Sequence, residues 1–205
     1  GGAISEANAE NARKQDIESI LADAATYADA GDYTNALRTL SGGLNKYPED
    51  AELTAKQTEY TEALAAKNKQ DALDQAAQYA AAGDYKSALE TVQEAQKLLG
   101  SDADFLQKTA EYTESYKSAA LETAAQYEKT SDYLNAYKTI QTAMDLVGSD
   151  SSLNVKLSLY AQNYVSAVAA QADEKIAAKD FAGARTLLTN ALKELEADEL
   201  VQRIQ

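Results

Sequence analysis

Along most of this chain apolar residues recur every three or four positions, the spacing of one face of an α-helix. Leu153, Leu157, Tyr160, Tyr164 and Ala167 step by four, three, four and three. Phe105, Tyr112, Tyr116 and Ala119 trace a similar seam upstream, and no stretch alternates in the manner of a strand. Between these stretches stand helix stops and starts: Gly31-Asp32, Tyr47-Pro48-Glu49-Asp50, Gly83-Asp84, Gly100-Ser101-Asp102 and Gly148-Ser149-Asp150. Glycine and proline end helices, and aspartate accepts the free N–H groups that open the next one. Long helices are therefore predicted over roughly 4–30, 51–82, 103–130 and 151–179. Short helices begin at Asp32, Asp84, Asp132 and Asp180 and stop near Asn45, Leu99, Val147 and Leu195.

These elements repeat. The turn aspartates Asp32, Asp84, Asp132 and Asp180 are separated by 52, 48 and 48 residues, and Asp50, Asp102, Asp150 and Asp198 each follow one of them by 18. The surplus of four in the first spacing is about one helical turn, which lengthens a helix without rotating its apolar face. Ala24 to Tyr33 recurs as Ala76 to Tyr85, Ala124 to Tyr133 and, more loosely, Ala172 to Phe181. Tyr60, Tyr112 and Tyr160 each lie ten residues after their aspartate, a slot shared by three copies. The expected architecture is all-α, an α-α solenoid of four helical hairpins, each a long helix followed by a short one. It is expected to form a single domain over 1–205 with repeats at about 2–49, 50–101, 102–149 and 150–197. Residues 198–205 would be a C-terminal cap or the start of a cut helix.

The series Ala24, Tyr27, Ala36, Leu40, Gly43, Pro48 resembles the tetratricopeptide repeat, as do Ala76, Tyr79, Ala88, Val92, Ala95, Gly100 and Ala124, Tyr127, Ala136, Ile140, Ala143, Gly148. The fourth copy reads Ala172, Lys175, Ala184, Leu188, Ala191, Glu196. The resemblance implies small residues where two antiparallel helices meet and an aromatic wedge beside them, so Tyr27, Tyr79, Tyr127, Tyr33, Tyr85 and Tyr133 are expected in packing roles. The family's period is 34, so the first helix of each hairpin here is longer by 14 to 18 residues. Family members of one class clamp a terminal carboxylate in a groove of first-helix side chains. The matching positions are Leu21, Ala25, Asp29; Leu73, Ala77, Ala81; Leu121, Ala125, Lys129; and Ala169, Asp173, Ala177. Only Lys129 has suitable chemistry, so a carboxylate clamp is not expected.

Composition narrows the function classes. The chain has 33 acidic against 19 basic residues, a net charge of −14, which disfavours nucleic acid and anionic membrane as partners. It has no His and no Cys, which removes the common zinc, haem, disulfide and Ser–His or Cys–His designs. The turns Ser101-Asp102-Ala103-Asp104 and Gly148-Ser149-Asp150-Ser151-Ser152 lack the ligand alternation of a calcium loop and read as caps. Ser41-Gly42-Gly43 lacks the Lys-Ser/Thr of a phosphate loop and reads as a weak spot in or at the end of a short helix. No cofactor and no metal are expected. No apolar run reaches the ~18–20 residues that span a bilayer. Met144 is the only methionine, so the sequence reads as a fragment whose anchor or targeting segment would lie elsewhere.

The expected function is a non-enzymatic protein–protein interaction scaffold, from the extracytoplasmic region of a bacterial surface or secreted protein; a cytoplasmic location is the alternative. Its partner would be a protein or peptide, and homo-oligomerisation stays open. The candidate partner surface is Tyr112, Tyr116, Tyr160 and Tyr164, in the helical extensions, with Lys129. The competing readings are a structural spacer and a carbohydrate- or peptide-binding module built on the same tyrosines. A helical lyase or hydrolase of polysaccharide ranks below these, because no pair of carboxylates stands out among the 33.

Overall fold

The computed structural model describes residues 1–204. Every regular element among them is helical: α1 (Gly2–Asp29), α2 (Tyr33–Lys46), α3 (Ala51–Ala81), α4 (Tyr85–Leu99), α5 (Ala103–Lys129), α6 (Tyr133–Val147), α7 (Ser151–Ala177), α8 (Phe181–Glu194) and α9 (Asp198–Ile204). Long and short helices alternate as the repeat requires. The chain divides into two compact units, Gly1–Leu106 and the residues from Gln107 onward.

The turn aspartates cap the short helices. Asp32, Asp84, Asp132 and Asp180 accept the backbone N–H three residues on, at 3.1, 3.1, 3.2 and 2.9 Å. Asp50 and Asp150 do the same for α3 and α7, at 2.9 and 3.0 Å, while Asp102 accepts the N–H of Asp104 at 2.8 Å. Each long helix ends one or two residues earlier than the sequence suggests, because a left-handed residue reverses the chain. Gly31 and Gly83 fill that position with φ of +78° and +79°. In the third and fourth copies it falls to Ser131 and Lys179, at +60° and +61°, where a side chain is present and the conformation is strained. The N–H of the following aspartate then bonds back to a carbonyl five residues earlier, as in Asp32 to Tyr27 at 2.9 Å and Asp180 to Lys175 at 2.8 Å.

Inside each unit neighbouring helices pack in series: α1 on α2, α2 on α3 and α3 on α4 in the first, and α6 on α7 and α7 on α8 in the second, with α9 against both α7 and α8. The small residues of the repeat are the contact points. Ala24, Ala36, Ala76, Ala88, Ala124, Ala136 and Ala172 are wholly buried and Ala184 nearly so. Each admits a neighbouring helix more closely than a branched side chain would. In the first unit Ala24 and Ala36 join Ile17, Leu40, Leu53 and Tyr60. The second unit has one cluster around Ile140, Leu153 and Tyr160 and another around Val168, Leu188 and Leu200. Leu200 ties α9 into this last cluster, while Gln205, the final residue of the expected cap, lies outside the described residues.

Gly42 and Gly43 lie inside α2 rather than at its end. A Cβ on Gly43 would stand 2.9 Å from Ile20 Cγ2 and 3.2 Å from Leu53 Cδ1, so the glycine lets α1 and α3 close on α2. The equivalent residues Ala95, Ala143 and Ala191 are also small and buried.

Candidate functional site

Of the six tyrosines expected in packing roles by the repeat pattern, three stand partly in water, and the most buried tyrosine slot lies instead in the helical extensions. Tyr27, Tyr79 and Tyr127, expected as wedges, are 43%, 37% and 37% exposed. They sit in the final turn of their helices, three residues past the buried alanine, where the chain is already turning away. Tyr33, Tyr85 and Tyr133, at the start of the short helices, are half-buried. The extension residues Tyr60, Tyr112 and Tyr160 are instead core, at 7%, 4% and 1% exposure. Their slot lies two turns beyond Leu53, Phe105 and Leu153, which are also buried, so a long helix uses this pair of anchors along one face.

A lysine four residues before each of these tyrosines lies over its ring. Lys56, Lys108 and Lys156 stand 5.7, 5.7 and 5.8 Å from the centroids of Tyr60, Tyr112 and Tyr160. The Tyr160 hydroxyl also donates to Glu128 at 2.7 Å, and burial, reinforced by that carboxylate, pushes its pKa up to about 12. Of the candidate partner surface, Tyr112 and Tyr160 therefore present almost no area to a ligand. Tyr116 and Tyr164 are half-buried, packed against different clusters of the second unit, and Lys129 is exposed at the end of α5. The five residues are not gathered into one pocket.

A second repeated contact, which the apolar pattern does not reveal, joins each extension to the next cap. Lys69 bridges Asp102 at 2.9 Å and Asp104 at 2.8 Å; Lys117 bridges Asp150 at 2.5 Å. Both pairs span 33 residues, seven before the buried alanine to the capping aspartate. The equivalent pair in the last copy is Val165 and Asp198, where the lysine has become a buried valine. In the first copy Arg13 reaches Asp50 at 3.4 Å, and Asp16 takes Lys46 at 2.7 Å and the Tyr47 hydroxyl at 2.6 Å. The lysine, with the Ser152 hydroxyl and the Leu153 N–H, holds the Asp150 carboxyl far below its usual range; Lys69 lowers that of Asp102 in the same way.

Surface cavities among the described residues offer further candidate sites. One of about 390 Å³ borders Arg13, Tyr47 and Pro48 and is lined by the ion pairs just described. One of about 610 Å³ lies among α7, α8 and α9, with Ile176, Phe181 and Ile204 beside Arg185 and Arg203. There the Arg203 guanidinium is already engaged by Asp173 at 2.9 Å. Another, of about 570 Å³, runs between α3 and α4 in the first unit. α3 gives it Asn68, Ala72 and Tyr79, and α4 gives Glu90, Thr91, Glu94, Ala95, Leu98 and Leu99. Leu98 is 75% exposed and Leu99 41%, so this groove has an apolar wall open to water. Sequence inspection missed it because its two walls come from separate helices and Leu98 reads as an ordinary member of the helical stripe.

Among the described residues no group of three or more Asp or Glu is placed to hold a metal ion, and no helix is long and apolar enough to cross a membrane. The helical-hairpin repeat itself is compatible with a tetratricopeptide-like fold. No protein-family model matches the chain, and no curated protein matches it either.

Proposed function

We propose that this chain is a non-enzymatic scaffold of tetratricopeptide-like hairpins that holds a protein or peptide partner. The observation that carries the reading is the groove between α3 and α4, whose apolar wall of Leu98, Leu99 and Tyr79 stands in water while the repeat's own anchors are satisfied inside. Surface apolar area of this kind, rimmed by polar groups, suits a partner laid along a helix pair. The same reading places the chain in the extracytoplasmic part of a bacterial surface or secreted protein, on the strength of its acidic, cysteine-free composition.

Capture with the intact chain from its native source, followed by lysine cross-linking and mass spectrometry, tests this. One protein enriched in stoichiometric amount, with cross-links to the helical surface, is expected. Recovery of no such protein, or turnover of a polysaccharide by the chain, would contradict it.

A spacer is the second reading. It is favoured by the use of Tyr60, Tyr112 and Tyr160 as packing residues rather than contact residues. That burial removes support from a carbohydrate platform, since only Tyr116 and Tyr164 of the four extension tyrosines keep partly open faces.

A further inference from the structure

The chemistry of the partner is readable in the way the second repeat departs from its siblings. Six residues after the turn aspartate stand Arg38, Glu90, Lys138 and Thr186, so only the second copy is acidic there. Lys138 in the third copy spends its charge on Glu194 at 2.9 Å. Glu90 and Glu94, one turn apart on the rim of the α3/α4 groove, make no ion pair among the described residues, although Lys86 and Lys97 share their helix. Leu98 stands where the first copy has Lys46, the third Leu146 and the fourth Glu194, and Leu146 is half-buried whereas Leu98 is exposed. The second copy thus carries an unpaired acidic edge and an exposed leucine side by side. The first unit as a whole holds nineteen carboxylates against nine Lys and Arg, so its field strengthens the same preference.

Resting on the scaffold reading, we propose that the α3/α4 groove docks a basic amphipathic segment of a protein partner. Apolar side chains of that segment cover Leu98 and Tyr79, and its Lys or Arg residues meet Glu90 and Glu94. Covering the leucine supplies the desolvation that drives docking. Ion pairs at a solvated rim contribute chiefly to encounter rate and to rejection of acidic competitors. The positions at which the tetratricopeptide resemblance would seek a ligand in this copy, Leu73, Ala77 and Ala81, do not line the groove.

The probe is a fluorescein-labelled peptide of about 18 residues, long enough to form a helix on binding, built from Leu, Ala and Lys with the leucines on one face. Its anisotropy is followed with the full chain, with Leu98→Ser, with Glu90→Lys/Glu94→Lys, and with Glu6→Lys/Glu18→Lys, which makes the same charge change on α1. Expected are saturable 1:1 binding, a loss of about tenfold or more in each groove variant, and no such loss in the α1 variant. A peptide with Glu in place of Lys is expected not to bind. Equal weakening by the α1 variant would reduce the effect to diffuse charge and overturn the proposal. So would indifference to Leu98→Ser, absence of binding, or a dimer of the chain that Leu98→Ser dissolves. Failure here with a native partner cross-linked to another face would leave the scaffold reading standing. Lack of any native partner would remove that reading whatever the peptide does.

Discussion

The hydroxyl of Tyr160, on α7, donates a 2.7 Å hydrogen bond to the carboxylate of Glu128, on α5, while the tyrosine ring is 1% exposed. The pair closes the second unit across 32 residues of chain. Tyr160→Phe keeps the ring and removes the donor, and is expected to cost about 1 kcal/mol in denaturant unfolding. The titration adds a sign. With a pKa pushed up to about 12, the phenol stays protonated in the folded protein after it ionises in the unfolded chain. This contribution is therefore intact below about pH 10 and is lost as pH rises toward 12. Stability that falls equally in wild type and Tyr160→Phe over that range would contradict it.

Lys117 and Asp150 join α5 to the cap of α7, and the carboxylate is held ionised well below its ordinary range. The sign is opposite to that of Tyr160. A lowered folded-state pKa gives stabilisation that is complete above about pH 4 and disappears as pH falls further. Asp150→Asn keeps a capping side chain but removes the charge. Its melting temperature should lie below wild type by a constant margin from about pH 5 to 8, and the margin should shrink toward pH 2. A margin undiminished at the acid end would show that charge is not its source.

Ser131 and Lys179 occupy the left-handed position that Gly31 and Gly83 fill in the first two copies. Ser131→Gly and Lys179→Gly should each raise stability by up to about 1 kcal/mol, because glycine takes this conformation without a Cβ clash. Destabilisation by both, measured by urea unfolding, would mean that the turn is held differently.

Much of this architecture was legible in the sequence, for reasons that individual residues make plain. Asp32, Asp84, Asp132 and Asp180 announce the short helices because capping is a local interaction that needs only the right side chain beside free N–H groups. The burial of Ala88 and Ala136 follows from the repeat, since a small residue kept at every copy marks a close approach. The tyrosines were less legible. Tyr79 and Tyr112 both fall on a helical stripe, and periodicity gives the face but not the position along the helix at which a neighbour crosses. Lys108, four residues before Tyr112, was the available sign, since it recurs as Lys56 and Lys156. The left-handed Lys179 is not announced by its own side chain, and only its alignment with Gly31 and Gly83 marks the position. The α3/α4 groove could not be read locally, because it exists only once two distant segments lie together.

Gly42 and Gly43 are adjacent in α2 but face different surroundings. Nothing lies within 4 Å of a Cβ added at Gly42, whereas one at Gly43 meets Ile20 and Leu53. Gly42→Ala should stabilise the first unit by about 0.5–1 kcal/mol through helix propensity alone. Gly43→Ala should fall short of that gain, because Ile20 must move to admit the methyl group. Equal gains from the two, compared by thermal unfolding, would show that α1 and α2 are less closely packed at Gly43.

The central claim is that small side chains at repeated positions let the helices of each hairpin touch, and Ala136, wholly buried, tests it most directly. Chemical denaturation of Ala136→Glu should show a loss of about 3–5 kcal/mol, the cost of a charge buried without a partner. Ala170→Glu, at an exposed position of α7, should stay within about 0.5 kcal/mol of wild type. Unfolding midpoints that coincide for the two variants would contradict the account.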